Sequence, residues 1–111
     1  MKTLKLNEPY ARVLEHLGDV QKHVDEALYR YALQQAQQQV LDLESQVQQW
    51  EDRYGCSYDL FAYRTAVDEA YVHELNAQPE THMWEADLIT WEFYATELRA
   101  WRQQLNTLTM S

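Results

Sequence analysis

The stretch VLEHLGDVQKHVDEALYRYALQQAQQQVLDLESQVQQWEDRY, residues 13–54, decides the fold. Its apolar or small residues Val13, Leu17, Val20, Val24, Leu28, Ala32, Ala36, Val40, Leu43, Val47, Trp50 and Tyr54 recur in steps of 3 or 4, with a mean of about 3.7 residues. That period keeps one stripe on one side of a helix and demands little supercoiling. The glutamine-rich segment 34–49 keeps the same spacing, and glutamine is a good helix former, so it reads as helix rather than as a disordered tract. Upstream, Asn7 is placed to cap, Glu8 to complement the helix dipole and Pro9 to occupy the first turn, where its missing N–H costs nothing. Residues 1–6 are read as a tail.

A helix over residues 8–54 would be roughly 69 Å long at 1.5 Å per residue, more than one small domain can cover. Either it is broken, at Gly18 or around Tyr31, or its stripe is buried in an oligomer. The exposed half of that stripe, Val13, Leu17, Val20, Val24 and Leu28, is the expected dimer interface. Gly55 follows Tyr54 where a left-handed residue ends a helix, and Ser57 can cap the next one. Leu60, Tyr63, Val67, Tyr71 and Leu75 then recur at helical spacing, which predicts a second helix over 57–76, stopped by Asn76-Ala77-Gln78-Pro79. Thr81 is the expected cap of a third helix, 81–107, with Trp84, Leu88, Trp91, Ala95, Leu98 and Leu105 on one stripe.

The rest of the chain agrees with an all-α reading. Two glycines and two prolines in 111 residues leave too few turn signals for a sandwich or barrel. The expectation is a single domain: a long N-terminal helix and two shorter ones in an antiparallel helical bundle, completed by dimerisation. The longest apolar run is far short of the ~20 residues that cross a bilayer. The N-terminus MKTLKLNEPYARVL shows neither an apolar signal core nor a cleavage site, and the lone Cys56 has no disulfide partner in the chain, so the cytoplasm is the expected location.

Charge is uneven. The net is −9, yet residues 42–97 carry thirteen acidic side chains against Arg53 and Arg64, a net of −11. Such a surface disfavours nucleic acid and anionic membranes, and it favours a basic protein partner. All four tryptophans lie beyond residue 49, in more aromatic surface than one seam buries, and tryptophan dominates binding hot spots. Candidate catalytic chemistry is thin. His16, Asp19 and His23 share a helix face, and Glu69 with His73 and His82 with Glu85 form similar pairs, but a metal site needs three or four converging ligands. Cys56 sits near a predicted helix N-terminus, where a thiolate is favoured, but no histidine lies near it in sequence. Neither a catalytic constellation, a metal site nor a cofactor is expected.

The segments QVQQWEDRYGCSYDLFAYRTAVDE and WEADLITWEFYATELRAW resemble a family of small bacterial and archaeal proteins, frequent in cyanobacteria, in which a helix ends in a Tyr-Gly turn and a later helix carries an acidic, aromatic "D…WE" pattern. The matching residues are Tyr54, Gly55, Ser57, Phe61, Asp87, Trp91 and Glu92, within residues 46–102, and this chain adds an N-terminal extension of about 45 residues. The resemblance implies a non-enzymatic, antitoxin-like protein that masks a basic partner, a toxin encoded nearby. Trp84, Asp87, Trp91, Glu92, Phe93 and Trp101 are the expected contact residues. The alternative expectation is a structural, coiled-coil-like homo-oligomer with no toxin partner.

Overall fold

A computed structural model describes residues 8–110 of the chain. The expected tail at 1–6 and the expected cap Asn7 lie outside the described residues. Four helices follow in order: α1 Glu8–Tyr54, α2 Tyr58–Val67, α3 Glu69–Ala77 and α4 Trp84–Thr109. The described residues contain no strand. None of their helices is long and apolar enough to cross a membrane.

The chain divides into two compact units, Met1–Gln35 and Ala36–Ser111. The described part of the first unit, residues 8–35, is helical throughout. Neither Gly18 nor Tyr31 interrupts it, because a single glycine costs a helix only about 1 kcal/mol and Tyr31 breaks no backbone hydrogen bond.

The second unit begins within α1 and has two apolar clusters. In one, Phe61, Leu75, Trp84 and Trp91 are buried, with Trp50, Tyr54, Tyr58, Tyr71 and Leu88 packed around them. In the other, Val40 and Leu43 of α1 bury against Leu98 of α4, flanked by Val47, Tyr94, Trp101 and Leu105. Between α1 and α2, Gly55 has φ +71°, the left-handed conformation that only glycine adopts without strain. Its N–H donates to Glu51 O at 2.7 Å, closing the helix. Ser57 then caps α2, its hydroxyl accepting from Leu60 N at 3.2 Å.

Two boundaries differ from the sequence reading. The second helix is broken at Asp68, whose backbone is extended at φ −109°, ψ 94°. Its side chain accepts from Tyr71 N at 3.0 Å, so an aspartate cap restarts the chain as α3. The break resets the helical phase. Phe61, off the expected stripe, is the buried residue of α2, while Leu60, Tyr63 and Val67 face solvent. Nor does Thr81 start the last helix. Its hydroxyl donates to Leu75 O at 2.8 Å and its N–H to Gln78 O at 3.2 Å, sealing the end of α3. The turn it makes carries the chain to Trp84, where α4 begins, and Met83 precedes it without a side-chain cap.

Candidate functional site

The first unit presents the longest apolar surface. Val13, Leu17, Val20, Val24 and Leu28 lie on α1 with between 44% and 60% of each residue exposed, beside Leu14, also exposed. Helical spacing puts them on one side. Hydrophobic side chains scattered singly need no explanation, but a contiguous row of aliphatic residues marks an interaction surface. The described part of this unit has no second helix to cover the row.

In the second unit the six expected contact residues do not form one surface. Trp91 is 0% exposed, stacked on Tyr54 at 5.9 Å between ring centroids, tilted against Phe61 at 5.3 Å and edge-on to Tyr58 at 5.8 Å. Trp84 is buried, and its indole N–H donates to Asn76 Oδ1 at 2.8 Å. Both tryptophans are therefore core residues rather than surface contacts: the turn at Gly55 brings Tyr54, Tyr58 and Phe61 around Trp91, and Trp84 is buried in the same cluster as Leu75. Trp101 is half-buried against the Val40–Leu43–Leu98 cluster. Glu92 and Phe93 face solvent.

Asp87 has an internal role. It accepts from the Tyr54 hydroxyl and from Arg53 Nη1 at 3.3 Å, tying the last turn of α1 to the start of α4. Burial, and then the hydrogen bond to Asp87, hold the Tyr54 phenol well above its ordinary range. Burial also raises Tyr58, with Glu92 adding to it, and pushes the Cys56 thiol up, against the lowering effect of Arg64. The half-buried thiol of Cys56 is thus stabilised in its neutral form, the reverse of activation by a helix N-terminus.

The surface of this unit is acidic. Residues 36–110 hold thirteen acidic side chains and four arginines. Three of those arginines have partners within the unit. Arg53 meets Asp87 and the face of Trp50, Arg64 lies 3.7 Å from the ring centroid of Tyr71, and Arg102 meets Glu44 at 3.4 Å. Among the described residues, no group of three or more His, Cys, Asp or Glu side chains is placed to hold a metal ion. One open cleft of about 470 Å³ is mixed in charge, lined by Val47, Glu51, Asp59, Leu98, Arg99 and Arg102 among others.

Sequence reasoning placed Phe93 at the surface but missed its exposed neighbour Ile89 and the apolar outside of α2. Ile89 lies one turn from Phe93 on α4, exposed by 69% and 60%, and Leu60, Tyr63 and Val67 line the outside of α2. The i, i+4 spacing of Ile89 and Phe93, off the tryptophan stripe, was the signal for the first. The second coincides with part of the expected stripe Leu60, Tyr63, Val67, Tyr71 and Leu75. Comparison of the chain with protein-family models, curated proteins and solved structures gives no match in any of the three, and the surfaces above stand on their own geometry.

Proposed function

We propose that this protein is a non-enzymatic, protein-binding module that works as a homo-oligomer. The first unit joins copies of the chain and so completes an antiparallel helical bundle, and the acidic second unit receives a basic protein. The observation that carries the reading is the exposed row Val13, Leu17, Val20, Val24 and Leu28 on a helix with no second helix among the described residues of its unit. Leaving five such aliphatic side chains wet forgoes roughly 1.5–3 kcal/mol each, which is large beside the 5–15 kcal/mol stability of an ordinary domain. Sedimentation at micromolar concentration tests it. The wild type is expected to be at least a dimer and Leu17→Glu, Val24→Glu a monomer; a monomeric wild type, or a variant that still associates, removes the seam.

The partner half of the reading is antitoxin-like masking of a basic protein encoded nearby. It is supported by the acidity of residues 36–110 and by the Tyr54-Gly55 and Trp91-Glu92 resemblance. Because Trp84 and Trp91 are buried, the contacts fall to Glu92, Phe93 and the neighbouring Ile89. Co-expression with the product of an adjacent basic reading frame is expected to give a complex that Phe93→Glu weakens. A structural oligomer with no toxin partner rests on the same apolar row, and failure to recover a complex with that product favours it.

A further inference from the structure

In the first unit the apolar row is more strictly ordered than its mean period suggests. Val13, Leu17, Val20, Val24, Ala27 and Tyr31 follow in steps of 4, 3, 4, 3 and 4, the heptad alternation by which two helices wrap around each other. Directly beside this seam lie Leu14, Gln21 and Leu28 on one side and His16, His23 and Arg30 on the other. The five acidic residues of the unit, Glu8, Glu15, Asp19, Asp25 and Glu26, all fall at positions further round the helix. A second copy therefore brings no carboxylate to the seam, and neither an acidic nor a basic group to its centre.

Resting on the self-association argued above, we propose that two copies pair antiparallel through this helix, in the register symmetric about Lys22. That register sets Leu17 on the partner's Ala27, Val13 on the partner's Tyr31 and Val20 on the partner's Val24. In the outer two layers a large residue meets a smaller one, which is how facing positions fill space without voids. Beside the seam, Leu14 closes on the partner's Leu28, which accounts for both being apolar off the central row. On the other side His16 lies opposite the partner's Arg30. The pairing is self-complementary, as a two-fold dimer requires.

The alternatives pack worse. A parallel pair in register sets Ala27 against its own copy, leaving a void, and Tyr31 against its own copy one turn later, where the rings crowd. An antiparallel pair shifted by one heptad toward the N-terminus leaves Leu28 with no aliphatic residue opposite.

Disulfide trapping in a Cys56→Ser background distinguishes them. Leu17→Cys and Ala27→Cys are purified separately, mixed under reducing conditions and oxidised. A mixed 17–27 disulfide with little self-cross-linking of either variant is expected. Self-cross-linking of Leu17→Cys alone overturns the orientation, and the absence of any cross-link in a chain that sediments as a dimer overturns the register. A chain that sediments as a monomer removes the underlying self-association instead. A nitroxide at Arg12→Cys, outside the seam, guards against damage by the core substitutions. The proposed register separates the two labels by about 30 Å along the helix axis, whereas a parallel pair leaves them level, and a distance explained by lateral separation alone refutes the proposal.

Discussion

Gly55 carries the sharpest conformational demand in the chain. At φ +71° a β-branched side chain is strained, yet a Cβ built there meets no atom within 4 Å. The cost of substitution is therefore that of the backbone alone. Gly55→Val is expected to destabilise the second unit by at least ~1 kcal/mol, and an unchanged melting temperature shows that the chain turns without the left-handed residue. Tyr54, next to it, makes a pH prediction. Its phenol is raised in the folded state, first by burial and then by Asp87, so the fold holds that proton more tightly than the unfolded chain does. Stability from this source is complete below the unfolded value near 10 and is lost as pH rises above it toward the folded value. Tyr54→Phe gives up the hydrogen bond, about 1–2 kcal/mol at neutral pH, but also this alkaline loss. Its melting temperature should approach that of the wild type between pH 8 and 11, and a constant gap across that range contradicts the assignment.

At the scale of the element, what could be read from the sequence was set by the kind of signal. The end of α1 was legible because Tyr54-Gly55-X-Ser57 encodes a stop and a start in backbone chemistry, independent of what packs nearby. Asp68 encodes a start equally well, but an unbroken apolar spacing from Leu60 to Leu75 hid it. The spacing spoke for one helix, whereas the buried residue proved to be Phe61, which only the restart of α3 brings into register with Tyr71 and Leu75. Trp84 and Trp91 were misplaced for a related reason. Aromatic abundance does not say which rings are enclosed, and enclosure of Trp91 depends on Tyr54, Tyr58 and Phe61 arriving from α1 and α2. The exposed row of the first unit, by contrast, was readable because a lone helix has no tertiary context to override its pattern. Gly18 lies off that row, is helical, and has open space where a Cβ would go. Gly18→Ala should stabilise the surrounding turns by about 0.8–1 kcal/mol, read as amide exchange around residue 18 slowed by roughly fivefold. Exchange that stays the same or quickens means the helix is interrupted there.

For the whole molecule, the two proposed interactions respond to salt differently. Residues 1–35 hold five acidic and five basic side chains, a net of zero, so an apolar seam between first units meets no net like-charge repulsion. Added salt shortens the screening length from about 10 Å at 0.1 M to about 3 Å at 1 M, which leaves apolar contact between the helices intact. Self-association should therefore not weaken as salt is raised. A basic protein held by the acidic second unit is attracted by that unit's field, and its affinity should fall over the same range, mainly through slower association. Sedimentation of the chain alone and titration with a basic partner, each at 0.05, 0.15 and 0.5 M salt, separate the two terms. Self-association that weakens with salt means that ion pairs join the copies and that the row from Val13 to Leu28 is not their contact. Partner binding indifferent to salt means that the acidic surface is not what recognises it, and the weight of recognition then passes to the exposed apolar faces at Ile89, Phe93 and the outside of α2.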